Sequence, residues 1–451
     1  MVHYLDQIAA FICRCKFEDF PFPVIQRAKE VVADTLAVIA LGAQEEEVKR
    51  LTGKMAGPGR KKGAMVVGAG VRTEPIQAAF LNGAAGTFLE ILEGSNYARG
   101  QPAIHALPAA LAVAEEMNLS GREFLTAFLL GYEICARIGM ACKLRLSMHP
   151  NGTWGTVGAA IAVGKLKGYG EQDMREMINV SSSLTLATSR RTMVEGGTVR
   201  NLYAGVSGHM GILCHDLIQA GFTGEMDGLQ SVFGQVVSES FVPGVMTEDL
   251  GRRWEILRNF YKGYACGRYC QSVLEPLVSM IAGLPGGRMD PAEVARVEVT
   301  TYFWGAQLTE QNPRNTLAAK FSVPFTVATY IVNGSAGVDS FTARAMNDPA
   351  VKALAKRVTV REDSQMTALW PKSRPALVKV FLASGTVLEG RALTNKGDAE
   401  DPYTPEELRV KFFELADRVW NHETAEAIYG EALNLENLGN VNQLTNRMSS
   451  T

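Results

Sequence analysis

His149 stands in the stretch "RLSMHPNGTWGTVGAAIAVGKLKGYG", directly before a Pro-Asn-Gly sequence, and is one of six histidines in the chain. Imidazole is the side chain whose ordinary pKa lies nearest neutrality, so a histidine held at a pocket can exchange a proton at physiological pH. Pro150 has no N–H and Asn-Gly favours positive φ, so no helix runs through this point and His149 belongs to a loop. A helix is expected just after it. From Thr153 to Lys167 there is no proline, and Gly155, Gly158, Ala159 and Ala162 recur at spacings of three and four, leaving a stripe where another backbone can approach closely. Gly168 is the expected stop. A helix N-terminus attracts anions, and a loop at its mouth would set the imidazole beside one. The same residues also fit a histidine on a surface turn, and nothing within the stretch separates the two readings.

The elements that must position this loop are mostly helical. "PVIQRAKEVVADTLAVIALG", "PIQAAFLNGAAGTFLEIL", "LPAALAVAEEMN" and "GREFLTAFLLGYEICARIGMACKL" carry apolar residues at helical spacing between Gly, Pro and Asn breaks. Their many small residues predict closely packed helices. From about residue 290 the pattern changes. "ARVEVTTYF" alternates as a strand does, and "ALVKVFLASGTVLEGRAL" predicts a hairpin turning at Ser384-Gly385. Between them "TLAAKFSVPFTVATYIVNG" is expected to be helical, and the charged tail from "TPEELRVKFFELADRVW" onward is helical again and expected to return over the first part. No alternating β-α pattern is present in the first half, which excludes a doubly wound sheet there.

Composition sets the bounds. A chain of 451 residues with 47% hydrophobic side chains can bury a large core, and a net charge of −2 gives no reason to expect nucleic acid or a membrane surface as partner. No run of 18 apolar residues and no basic segment followed by an apolar one occurs near the start, so neither a signal nor a transit peptide is read and a cytoplasmic protein is expected. The seven cysteines show no zinc spacing: Cys13 and Cys15 are one residue apart on a predicted helix, and Cys266 and Cys270 lack partner histidines. They are expected to be reduced and mostly packed.

Six segments stand in order along the chain: "AKEVVADTLAVIALG", "LEILEGSNYARGQPAIHALPAALAVAEE", "HPNGTWGTVGAAIAVGKLKG", "VRNLYAGVSGHMG", "YKGYACGRYCQS" and "KFSVPFTVATYIVNG". Together they resemble the MmgE/PrpD family, which includes 2-methylcitrate dehydratase, cis-aconitate decarboxylase and iminodisuccinate epimerase. The resemblance spans nearly the whole chain. It implies a mainly α fold with an α+β lid: a large all-helical domain built from both chain ends, residues 1–265 and 400–451, and a smaller α+β domain at 266–399. It further implies an active site between the two, a homodimer, and lyase or isomerase chemistry on a small di- or tricarboxylate with neither metal nor organic cofactor.

Such chemistry builds negative charge on an already anionic substrate, so it needs fixed cations and a proton carrier. His149 matches the family's loop histidine, Lys262 the lysine opening its "K-x-Y-x-C" segment, and Arg200 a basic position before "NLYAG". The resemblance therefore implies His149 and Lys262 as catalytic residues, with Ser95, Gln101, Arg200 and Arg268 holding substrate. Read alone, Lys262 fits a solvated lysine and Arg200 a surface ion pair. Four positions depart from the family: Gln101 and Gln271 stand where histidine is usual, Phe325 where tyrosine is, and the family's acidic residue falls near Leu92, with Glu93 adjacent. Glutamine forms hydrogen bonds but carries no proton at pH 7. If all four faced the pocket, the proton carriers would reduce to His149 and Lys262, which favours epimerisation or simple elimination, or else a homologue that binds carboxylates or serves as an assembly partner without catalysis. His105 is expected to be structural, His209 and His215 to pack on their helix, and His3 and His422 to lie at the surface.

Overall fold

The computed structural model describes residues 2–57 and 63–449. The protein is mainly α-helical with small sheets. Its helical core is built where glycines let backbones meet. A Cβ on Gly158 would lie 2.8 Å from the Gly131 carbonyl oxygen, and one on Gly211 would lie 2.5 Å from the Ala159 Cβ, so helices Gly121–Ala141 and Tyr203–Gln219 both press on Gly155–Leu166. The small-residue stripe of that helix is thus a contact surface for three neighbours, the third being Pro102–Met117, whose His105 ring occupies the space a Gly155 side chain would need. Among the described residues one helix, Gly121–Ala141, is long and apolar enough to cross a membrane; here it lies inside the protein, with its Glu133 and Arg137 paired at 2.6 Å.

The first half is not wholly helical. Three antiparallel two-stranded ladders interrupt it: Ala64–Val66 with Val71–Thr73, Gly94–Ser95 with Asn259–Phe260, and Cys142–Leu144 with Ser238–Phe241. Each is only two to four residues long, too short for alternation to register in the sequence. Two of them matter for chemistry, because one ties the "EGSN" loop to the segment before Lys262 and the other leads into the loop of His149.

The strand expected near 295–303 forms at Val294–Thr301, and the expected hairpin forms from Ala376–Leu382 and Val387–Ala392, with Gly385 at φ 89° in its turn. They belong to a four-stranded sheet whose last strand, Val358–Glu362, runs parallel to Val294–Thr301 and was not foreseen. That strand is an edge: Val358 alone in it is buried, so its sequence shows no apolar alternation. Helix Arg268–Ala282 packs on the hairpin. The expected helix over 316–334 is two helices, Thr316–Lys320 and Val323–Asn333, because the Ser322 hydroxyl caps the Phe325 N–H and Pro324 has no N–H to continue the first. The tail does return: Pro405–Ala416, opened by a Thr404/Glu407 capping box, packs on Phe22–Gly42, and Lys411 pairs with Asp34 at 2.5 Å. All seven cysteines are free, and six are buried.

Candidate active site

His149 lies on the loop its sequence predicts and is buried rather than on the surface. Gly152 takes φ 85°, completing the Pro-Asn-Gly turn. The turn folds back so that the Asn151 N–H donates to His149 Nδ1 at 3.1 Å, while the His149 N–H donates to the Thr188 carbonyl at 2.9 Å. Beneath it the Gly152 N–H donates to His105 Nε2 at 3.1 Å, so His105 is neutral with its proton on Nδ1; burial pushes its pKa down to about 3. His105 is the floor of the loop.

On its other side His149 Nε2 meets Arg200, whose Nε–H points at it from 3.4 Å. Two donors therefore face two ring nitrogens. A neutral imidazole accepts at only one of them, and an imidazolium at neither. Burial, then the charges of Arg200 and Arg190, hold the His149 pKa well below its ordinary value. The ring is therefore neutral at pH 7.

Arg200 sits on the 3₁₀ turn Thr198–Leu202, over the Phe321 ring, and pairs with Glu90. The other Glu90 oxygen accepts from Lys262 Nζ at 2.9 Å, and the Glu90 carbonyl accepts from the same ammonium at 3.0 Å. Glu90 is buried with φ 58°, just beyond helix Pro75–Phe88, an unusual conformation for a side chain of its size. Despite burial, the charges of Arg200, Lys262 and Lys320 lower its pKa to about 2. Lys262 is fully buried and stands behind Glu90 rather than on the cleft wall, so it reaches the cleft through that carboxylate.

The cleft is narrow, with an interior volume of about 60 Å³. His149, Arg200, Ser95, Gln101 and Arg268 line it, as do Glu90, Asn96, Arg99, Arg190 and Arg374. Ser95 Oγ accepts the Ala98 N–H at 3.1 Å, which leaves its hydroxyl hydrogen for a ligand. Gln101 immediately precedes helix Pro102–Met117, and its Oε1 is buried without a partner among the described residues. Arg268 donates to Asp398 and to Gln271 Oε1, both at 2.7 Å.

Three of the four departures from the family fall outside this wall. Gln271 is spent on Arg268 and on the Tyr264 carbonyl, Leu92 is in the core, and Phe325 packs against Phe341 with ring centroids 5.9 Å apart. Glu93 is not in the cleft either. It accepts the Ala103 N–H at the start of helix Pro102–Met117, and burial raises its pKa to about 8. The carboxylate of the cleft is Glu90, three residues earlier. The sequence offers a weak signal for it, a second acid in "LEILEG"; the decisive feature is the left-handed turn, which periodicity does not show.

Lys320 is a further buried cation, donating to the Phe88 carbonyl at 2.8 Å, with a pKa lowered to about 8 by burial. Its folded value lies below the ordinary 10.5, so between those values the unfolded chain binds the extra proton and stability rises with pH. Denaturant midpoints measured from pH 8 to 10.5 should show that rise, and Lys320→Met should flatten it.

A cleft lined by five arginines, one carboxylate and a neutral imidazole has the chemistry to hold an anion and to move a proton. Residues 6–240 match the MmgE/PrpD N-terminal domain and residues 264–437 the MmgE/PrpD C-terminal domain, and the chain belongs to the MmgE/PrpD family. It is 24% identical over 470 residues to the cis-aconitate decarboxylase-like protein oryM of Aspergillus oryzae, covering 97% of this chain and 95% of that one. To the cis-aconitate decarboxylase of Aspergillus terreus it is 23% identical over 460 residues, covering 95% and 92%. The corresponding figures for the enzyme of Mus musculus are 24% over 467 residues, 98% and 92%.

Proposed function

We propose that this protein is a lyase or isomerase of small polycarboxylic acids that transfers a proton at the carbon next to a carboxylate, using its own side chains and no cofactor. The His149–Arg200 pair carries the reading. A substrate carboxylate that accepts from Arg200 draws the guanidinium away from Nε2, and its negative charge offsets the positive field that keeps the ring from binding a proton. Nε2 then exchanges a proton with the adjacent carbon, while Arg200 holds the charge that develops on the carboxylate oxygens. Glu90 and Lys262 position Arg200; Ser95 and Gln101 add neutral hydrogen bonds. One group that takes and returns the proton suits epimerisation, elimination or replacement of CO₂ by a proton.

Family membership and relatives named for cis-aconitate decarboxylation support carboxylate chemistry of the lyase type. The division at residues 1–265 with 400–451 and 266–399, the homodimer and the cytoplasmic location belong to the same proposal. Packing of Pro405–Ala416 on Phe22–Gly42 supports the division.

Proton NMR in D₂O across a panel of carboxylic acids tests the function. The expected result is protein-dependent loss of one carbon-bound proton signal, or appearance of an elimination or decarboxylation product. A panel of di- and tricarboxylates left unchanged would make this a homologue without catalysis.

A further inference from the structure

Of the five arginines on the cleft wall, Arg200 is matched by Glu90 and Arg268 by Asp398, whose carboxylate also feels Arg374. Arg99 and Arg190 have no carboxylate partner among the described residues. Arg99 Nε, Arg190 Nη2 and Arg374 Nε are buried atoms without a hydrogen-bond acceptor among the described residues, and the Arg374 side chain is almost wholly enclosed. Uncompensated guanidinium groups with unmet donors are costly to enclose, so such a set makes sense when a ligand completes it.

Their mounting is equally specific. Arg190 lies with its Cζ 4.0 Å from the centre of the Trp304 ring and 5.5 Å from that of Tyr269, and Arg99 lies 4.6 Å from that of Trp370. The two indoles are 5.9 Å apart, and Trp304 stacks on Tyr269 at 17°. Stacking engages the flat face of a guanidinium and leaves its in-plane N–H edge, the edge that matches paired oxygens. His149 and Arg190 line the same cleft, and Met193 and Arg200 line it beside them.

We infer that Arg99, Arg190 and Arg374 form a second anion subsite in this cleft, beside the His149–Arg200 pair, that takes a group bearing two negative charges on oxygen. Two negative charges match Arg99 and Arg190, the two guanidinium groups of the wall that face no carboxylate among the described residues, whereas a single carboxylate leaves one of them unmatched. Twin carboxylates and a phosphate monoester share this chemistry. The inference rests on the cleft being an acid-binding site, as proposed above, and adds the charge of the remote end of the substrate.

Tryptophan fluorescence reads it directly, because Trp154, Trp254 and Trp420 are buried and Trp304 and Trp370 stand at the subsite. Titration with citrate, succinate and inorganic phosphate should show citrate binding at least ~10-fold more tightly than succinate, the size of one or two charge-assisted hydrogen bonds. In Arg99→Gln/Arg190→Gln that ratio should fall toward one with succinate little changed, and Arg190→Lys alone should recover only part of it, since an ammonium neither stacks nor forks. Matching unfolding midpoints establish that the variants are folded. Phosphate that displaces citrate from the wild type, but not from the double variant, identifies a phosphate monoester as the natural group; citrate selectivity without such competition identifies twin carboxylates. An unchanged citrate-to-succinate ratio in the double variant overturns the inference, as does a wild type that binds citrate no better than succinate and does not bind phosphate. Citrate binding through these arginines with no proton exchange in any acid would leave the subsite standing and remove the proposed function. Exchange in a simple dicarboxylate without citrate selectivity would do the reverse.

Discussion

Glu90→Gln should cost about 3–5 kcal/mol of stability at pH 7, the usual result of removing one partner from a buried ion pair. The substitution keeps size and backbone demands nearly constant, since glutamine faces the same positive φ that glutamate does, so the loss reports charge. It leaves Arg200, Lys262 and Lys320 facing one another with no carboxylate between them. The pH dependence has a definite sign. The folded pKa of Glu90, about 2, lies below its ordinary 4.5, so its contribution is fully present above 4.5 and is lost as pH falls toward 2. Urea denaturation should show that acid limb weakened in the variant. A Glu90→Gln protein as stable as wild type, with the same acid limb, would mean that the carboxylate does not hold the three cations together.

The second large effect is on turnover. His149→Gln should lower kcat by about 100-fold or more, the scale of a lost proton carrier, with KM changed little because glutamine still offers hydrogen bonds. The ionisation that this substitution removes should differ between the two kinetic profiles. In kcat/KM, which reports the free enzyme, it lies well below the ordinary imidazole value, because burial, Arg200 and Arg190 oppose protonation. In kcat it moves upward, because bound substrate offsets those charges. Identical positions in both profiles would show that the substrate does not sit between His149 and the arginines.

The loop of His149 was legible because its determinants are local. Pro150, Asn151 and Gly152 fix the turn, and the glycine and alanine spacing after it fixes where other helices can approach. The hairpin at Ser384-Gly385 was legible for the same reason. Strand Val358–Glu362 was not, since an edge strand with a single buried residue has no pattern to display. The cleft wall divides along similar lines. His149 is marked by its own neighbours, and Arg200, Ser95, Gln101 and Arg268 by segments that resemble the family. Arg190 and Arg374 lie outside those segments, and Arg99, though it stands between Ser95 and Gln101 in one of them, reads in isolation as a solvated arginine. The significance of Arg99 and Arg190 depends on Trp304, Trp370 and Tyr269 closing on them, which no local window contains. Lys262 shows the converse: its segment marks it, but Glu90 determines how it reaches the cleft.

The central claim is that His149 exchanges a proton with a substrate carbon while Arg200 holds the adjacent carboxylate. With an acid that responds in the D₂O panel, the rate of deuterium incorporation at carbon should be measured for wild type, His149→Gln and Arg200→Gln at saturating acid. The account predicts incorporation in the wild type alone, with both variants slowed about 100-fold or more. Incorporation at the wild-type rate in His149→Gln would contradict it, because the proton would then be travelling through another group.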